Sequence, residues 1–170
     1  MAKKKNLKMF IPGAIACVFG IAAFCMMFLN AVQMSVSIGG ATWESGDTFT
    51  GAQLAFGYKT EGLLGGETTV LNFNIMIFLG FALPLIGGVL ALLFKNGFLT
   101  KIITTACFVV GAVFLFCTVA FMPIGLPDGA KKLFDADSWK LSAGPIVAGV
   151  LAILGAVVCF FKGTIAKMLG

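Results

Sequence analysis

The sequence contains no arginine and no histidine, and only 11% of its residues are charged. Soluble domains carry about 25% charged residues. The low charge, 59% hydrophobic residues and a mean hydropathy of +1.04 are typical of a membrane protein. Without histidine the chain lacks the commonest general base and zinc ligand, and without arginine it lacks a bidentate clamp for phosphate. We therefore expect no enzyme, no catalytic residue, no metal site and no cofactor.

Charged residues are also missing from four long apolar runs, each 21 or 22 residues long: 9–29, 73–94, 102–122 and 141–161. A helix needs about 20 apolar residues to cross a hydrocarbon core of ~30 Å. The sequence therefore predicts an all-α integral membrane protein, a single domain over 1–170 that forms a four-transmembrane-helix bundle. The first run is longer than a cleaved signal peptide needs, so we predict a retained anchor. No ionisable residue falls inside these runs, which argues against a proton relay.

The charged residues divide unevenly between the two sides of such a bundle. With both termini on one side, that side holds no acidic residue and eight lysines: Lys3, Lys4, Lys5, Lys8, Lys95, Lys101, Lys162 and Lys167. All seven acidic residues then fall in the two loops on the other side, at about 30–72 and 123–140. Lysine-rich loops stay in the cytoplasm, so this distribution predicts an N-in and C-in orientation. The N-terminal lysines could also attract anionic lipid, whereas no basic face suggests nucleic acid.

Small residues recur at helical spacing in the fourth run, at Gly144, Ala148, Ala152 and Ala156. Such residues let helix backbones approach closely. We interpret them as a helix-packing face within the bundle; a face for another membrane protein and a pore lining are the alternatives. Threonines of the third run, Thr104, Thr105 and Thr118, are expected to bond to carbonyls of their own helix.

Cysteine is absent from both predicted outer loops, because all five cysteines lie inside the apolar runs and none forms a CxxC pair. The loops must fold without disulfides, and no thiol redox pair is indicated. Together with many lysines and phenylalanines and no arginine, this favours a bacterial plasma membrane.

The first outer loop carries strand signals. "MSVSI" at 34–38 and "LAFGY" at 54–58 alternate apolar and polar residues, and Thr68, Thr69 and Val70 are β-branched. We predict a small extracellular β-sheet from this loop. In the second outer loop, Trp139 could touch the sheet, although both Trp43 and Trp139 could instead be interfacial anchors.

A long first outer loop, a short inner turn and a medium second outer loop form a plan that resembles the claudin-like tetraspan superfamily. Claudins carry in the first loop a Trp, then Gly-Leu-Trp, and two cysteines. Here Trp43 is followed by Gly62, Leu63 and Leu64, so that Leu64 replaces the second Trp, and both cysteines are missing. The resemblance implies lateral association with membrane proteins and no further function.

These observations favour a non-enzymatic tetraspan protein: an auxiliary subunit, scaffold or assembly partner of another integral membrane protein, or of itself, in the lipid bilayer. The candidate interaction residues lie in the outer loops: Trp43, Phe56, Tyr58, Gly62, Leu63 and Trp139. The alternative is a small oligomeric channel or transport component, in which outer carboxylates such as Glu44 and Glu61 attract cations. A membrane-embedded enzyme, with carboxylate pairs such as Asp135 and Asp137, is a third and weaker interpretation.

Overall fold

The computed structural model of the chain describes residues 2–38, 41–61, 67–94 and 97–168, and describes side chains for 10–35, 48–61, 67–94 and 97–168. The protein is mostly helical. Its elements are α1 (Ala2–Cys25), β1 (Asn30–Ile38), β2 (Ala41–Thr50), α2 (Gly51–Phe56), β3 (Tyr58–Glu61), β4 (Glu67–Leu71), α3 (Ile75–Leu93), α4 (Phe98–Phe116), α5 (Thr118–Phe121), α6 (Asp128–Lys131), β5 (Trp139–Leu141), α7 (Ala143–Phe160) and α8 (Lys162–Met168). Short 3₁₀ turns cover Met26–Phe28, Met122–Gly125 and Ala136–Ser138.

Four of the described helices, α1, α3, α4 and α7, are long and apolar enough to cross a membrane. This confirms four long apolar helices at the predicted runs, with one correction. The third helix begins at Phe98 and ends at Phe116, whereas the apolar run predicted 102–122. Lys101 therefore lies in the first turn of a spanning helix, and the prediction that no ionisable residue falls inside a span is wrong. A lysine near a helix end can extend its ammonium group toward water. Lys101 can therefore be part of α4, which begins three residues before it.

The four long helices run alternately up and down. Lys162, just after α7, bonds to carbonyls at the end of α3, and Gly13 of α1 lies against Ala91 of α3. We call this end, with the N-terminal part of α1, the start of α4 and α8, the terminal end. The opposite end carries the described residues of 26–74 together with 117–142 and is called the loop end.

Glycines bring α3 into close contact with both neighbouring helices. A Cβ added at Gly20 of α1 would lie 2.5 Å from the carbonyl oxygen of Pro84, and one at Gly111 of α4 would lie 2.6 Å from Cδ of the same proline. Between α4 and α7 the contact is ring on glycine, because Phe108 fills the space beside Gly155. The helices therefore pack at a distance that a methyl group would prevent.

The loop end contains two small sheets, with strand order β2-β1-β5 in one and a β3-β4 hairpin in the other. The strand predicted at 34–38 is confirmed within β1, and 68–70 within β4. The strand predicted at 54–58 is wrong, because Gly51–Phe56 is helical. Thr50 and Gln53 cap this helix reciprocally, with Gln53 N–H donating to Thr50 Oγ1 at 3.2 Å and Thr50 N–H donating to Gln53 Oε1 at 2.9 Å. The T-x-x-Q spacing is a helix-start signal that overrides the alternation.

Candidate functional site

Both loops contribute to one sheet at the loop end. β5, from the second loop, pairs antiparallel with β1, from the first, so that Trp139 lies opposite Met34. The Trp139 ring packs against Phe49 at a centroid distance of 5.8 Å, and Phe49 meets Tyr58 edge to face at 6.4 Å. These rings connect the three-stranded sheet to the start of the hairpin. The sequence predicted a sheet from the first loop alone. The structure adds a strand from the second loop, β5, to that sheet.

Asn74 fixes this assembly to the bundle. Its side chain is fully buried, and Oδ1 accepts the N–H groups of Met76 and Ile77 at the start of α3. Nδ2 donates to the carbonyl of Phe121 in α5 at 2.7 Å, while the Asn74 N–H donates to Ala55 of α2. One residue thus caps α3 and joins it to a segment of each loop.

Backbone hydrogen bonds complete the junction between the loops and the helices. Asn72 N–H donates to Gly125 at 2.6 Å, and Ser142 N–H donates to Ala31 at 2.9 Å, each bond linking the first loop to the second. A Cβ at Gly125 would lie 3.1 Å from the Asn72 carbonyl oxygen, so the two loops are in close contact there. We call the sheet, the hairpin and α2, held by these bonds, the platform.

Two exposed phenylalanines and a half-buried one cluster where the platform meets the bundle. Phe56 packs edge to face on Phe78 at 5.6 Å, and Phe73 lies 6.0 Å from the same ring. Phe56 is 55% exposed and Phe73 is 53% exposed. We call Phe56, Phe73 and Phe78 the aromatic ledge. Rigid aromatic side chains supply contact area at low entropic cost, and exposed apolar surface of this kind is typical of an interaction site or of a lipid interface.

The structure brings some of the candidate interaction residues together and leaves others apart. Phe56 belongs to the ledge, whereas Tyr58 and Trp139 lie on either side of Phe49. The backbone of Trp43, in β2, pairs with Val36 of β1. The Trp43 side chain lies outside the described residues, and so do Gly62 and Leu63. Sequence reasoning missed Phe73 and Phe78, because the first lies at the end of an apolar run and the second inside it.

The small-residue face of α7 is turned into the chain's own bundle. Gly144, Ala148, Ala152 and Ala156 are all buried, and α7 packs against α1 and α4. A Cβ at Gly144 would lie 2.9 Å from the carbonyl oxygen of Asn30. These positions therefore contact this chain's helices and leave no room for a partner's helix or a pore.

Two of the three threonines bond within α4 and its continuation as expected. Thr104 Oγ1 donates to the Thr100 carbonyl at 2.8 Å, and Thr118 Oγ1 donates to the Leu115 carbonyl at 2.7 Å. For Thr105 the expectation is wrong, because its hydroxyl oxygen is buried without a hydrogen-bond partner among the described residues.

At the terminal end, Lys162 is a buried lysine, whereas the sequence predicted for it only a role in orientation. It is 6% exposed, and its Nζ donates to the carbonyls of Ala91 at 2.6 Å and Phe94 at 3.2 Å. These carbonyls end α3, where a cation is favoured by the helix dipole. Burial lowers the pKa of Lys162; the neighbouring Cys159 opposes this shift, and the charge of Lys101 adds to it.

The centre of the described bundle is filled with large side chains. Phe81, Phe108, Ile77 and Leu115 are fully buried there. A conducting path through one copy would have to displace them. In the part of the chain that the structure describes, no group of three metal-ligating side chains is close enough to hold an ion.

A scan of the chain against protein-family models finds no family that matches, and a search of the curated proteins finds no matching sequence.

Proposed function

We propose that this chain is a non-enzymatic, multi-pass protein of a bacterial plasma membrane, and that its platform binds another integral membrane protein. In this proposal both termini are cytoplasmic and the loop end faces outward, as the lysine distribution indicates. The absence of histidine and arginine supports a role in binding rather than in catalysis.

The aromatic ledge is the observation that carries this proposal. Its rings are more than half exposed at Phe56 and Phe73, yet they stand on a support fixed by Asn74. A binding surface on a rigid support loses little conformational entropy when a partner docks. The ledge lies where α3 leaves the platform, so it can face a neighbouring protein within the bilayer.

We further propose that the plan is claudin-like. The plan of a long first loop, a short turn and a medium second loop supports this, as does Trp43 followed by Gly62, Leu63 and Leu64. Lateral association, the one property that the resemblance implies, agrees with docking at the ledge.

Purification in mild detergent from the native membrane, followed by native mass spectrometry, tests the docking proposal. We expect a complex of fixed stoichiometry with a different membrane protein. The double substitution of Phe56→Ala and Phe73→Ala should abolish that complex, because it removes the exposed ring area. The matched control is Leu133→Ala, which alters an 87% exposed apolar side chain in the second loop and should leave the complex intact.

A chain that purifies only as a monomer or homo-oligomer would contradict the proposal. So would a complex that both variants weaken equally, since that result would indicate nonspecific apolar adhesion. The homo-oligomer would then be reconstituted in liposomes and tested for ion flux, which is the measurement that the channel alternative requires.

A further inference from the structure

A groove of about 590 Å³ opens between α4, α7 and α8 at the terminal end. Its wall is apolar along most of its length, with Ile102, Ala106 and Val109 from α4 on one side and Phe160 and Phe161 on the other. Polar side chains line the groove at one end, which we call its mouth: Lys101, Thr105 and Thr164.

Lys101 and Thr164 line the groove toward the start of α4, where Phe98 also lines it one turn before Lys101, and Thr105 lies one helical turn after Lys101. The hydroxyl of Thr105 has no partner among the described residues, and threonine in a helix has two accessible χ1 rotamers. A rotation about this bond would offer the hydroxyl to a ligand. The mouth also lies at the amino-terminal end of α4, where Gly97 supplies no side-chain cap.

The dimensions of the groove fit one lipid chain. Eight residues separate Lys101 from Val109, which is about 12 Å along a helix at 1.5 Å per residue. One leaflet of a bilayer has a hydrocarbon depth of about 15 Å, half of the ~30 Å core. A polar mouth at one end of an apolar trough of this length matches a lipid headgroup with its acyl chain.

The charge at the mouth favours an anion from outside the chain. The seven acidic residues of the sequence lie within 44–137, in segments of the loop end, and none of the five whose side chains the structure describes lines the groove at Lys101. Its ammonium forms no ion pair among the described residues. Lys162 interacts electrostatically with Lys101, but its ammonium already donates hydrogen bonds to the carbonyls of Ala91 and Phe94.

We propose that this groove binds one anionic phospholipid, with its phosphate at Lys101 and Thr164 and an acyl chain along Ile102, Ala106 and Val109. The inference rests on the proposed membrane placement. It goes beyond a diffuse attraction of lipid to the N-terminal lysines, because it assigns one site with a defined chain path. Basic pockets between membrane helices are suited to such headgroups.

Two other grooves serve as internal comparisons. One of about 390 Å³ runs along α1 past Ala14, and one of about 300 Å³ lies between α3 and α4 past Ile103. Among the residues that the structure describes, neither groove is lined by a lysine. Lipid chains can lie in all three grooves, and only the groove at Lys101 should select for headgroup charge.

The test is native mass spectrometry of delipidated full-length protein titrated with phosphatidylglycerol or with phosphatidylcholine. We expect one phosphatidylglycerol to bind more tightly than phosphatidylcholine by about fivefold or more, the effect of one lysine at a membrane surface. Lys101→Gln should remove this preference. Ala106→Trp should weaken binding of both lipids at this site, because the indole fills the trough while the charge is kept.

Lys167→Gln and Ala14→Trp are the matched controls. The first removes an exposed lysine of the same end outside the groove, and the second fills the α1 groove. Both should leave the phosphatidylglycerol preference unchanged.

Four results would overturn the proposal. Equal affinity for the two lipids, or equal losses in Lys101→Gln and Lys167→Gln, would mean that no defined anionic site exists. A dimer, or a complex with another protein, that Ala106→Trp abolishes would assign the groove to a helix instead. If the protein fails to reconstitute in vesicles at all, the membrane proposal fails as well, whereas reconstitution without lipid preference contradicts the lipid site alone.

Discussion

Asn74 joins three elements through one side chain and its own backbone. Its carboxamide caps α3 and reaches the Phe121 carbonyl, and its N–H bonds to α2. A buried carboxamide whose oxygen and NH₂ group are both hydrogen-bonded stabilises the folded state. When the side chain is removed, each of its former partners is left unpaired and destabilises that state. The attachment of the platform therefore depends on the Asn74 side chain as well as on the backbone bonds made by Asn72 and Ser142.

Asn74→Ala should destabilise the protein by about 2 kcal/mol or more, because it removes an N-cap and leaves the Phe121 carbonyl unpaired. Thermal unfolding in detergent measures this, and Trp fluorescence reports on the platform through Trp139. Asn72→Ala is the control, since the Asn72 side chain is exposed and the bond to Gly125 uses its backbone. Equal destabilisation by both substitutions would contradict the role given to Asn74.

Lys162 gives the stability of the protein a dependence on pH. Burial lowers its pKa in the folded state below the ordinary value of 10.5. Between the folded pKa and 10.5 the unfolded chain binds more protons, so folding stability rises with pH across that window. The neutral amine still has two hydrogens, enough for the Ala91 and Phe94 carbonyls.

The measurement is the unfolding temperature from pH 8 toward 10.5 for the wild type and for Lys162→Met. The wild type should gain stability relative to Lys162→Met as pH rises, while Lys167→Met, which alters an exposed lysine, should follow the wild type. Parallel curves for all three proteins would show that Lys162 titrates as a solvated lysine does.

At the scale of elements, the contact between α1 and α3 depends on glycine. Gly13, Gly20 and Gly88 each leave room for the backbone of the opposite helix. The contact between α4 and α7 works differently, since Phe116 and Phe108 occupy the space above glycines. A backbone cannot move aside as readily as a ring, so substitutions should cost more in the first contact than in the second.

Gly20→Ala tests the first contact, because its Cβ would lie 2.5 Å from the Pro84 carbonyl oxygen. We expect a loss of about 1–3 kcal/mol from overpacking, measured as a lower midpoint of chemical or thermal unfolding in detergent. Gly129→Ala in α6 is the control, with nothing within 4 Å of its Cβ. A stability of Gly20→Ala equal to that of the control would mean that α1 and α3 can separate freely.

At the scale of the whole molecule, the distribution of charge matches the two ends of the bundle. The loop end carries every acidic residue, and the terminal end carries only lysines. The proposed orientation therefore makes a direct prediction. A C-terminal fusion to green fluorescent protein should fluoresce, and alkaline phosphatase inserted at exposed Gly129 should be active.

The same two reporters exchanged between the sites provide the control for this orientation. Phosphatase at the C-terminus should be inactive, and fluorescent protein at Gly129 should be dark if it is exported unfolded. The reverse pattern would place the loop end in the cytoplasm and contradict the proposed direction of the platform.

The four long apolar helices follow from the sequence, because a helix satisfies the backbone polar groups of an uninterrupted apolar run within the run itself. The strands at 34–38 and 68–70 also follow, from alternation and β-branching. The helix at Gly51–Phe56 was missed although its capping residues, Thr50 and Gln53, are visible in the sequence. Local alternation over five residues is too short a pattern to decide between a strand and one capped turn.

The sequence by itself determined the number of long apolar helices, and the proposed orientation rests on its lysine distribution, since both depend on the transfer of individual residues between water and lipid. Only the tertiary structure decided which small residues face a neighbouring helix, which loops share a sheet and where exposed rings gather. Those features depend on contacts between residues far apart in the chain, such as Asn74 with Phe121 and Lys162 with Ala91. Such contacts produce no periodic pattern in a single sequence. In the sequence, Asn74 is an ordinary helix-capping residue and Lys162 is an ordinary charged residue.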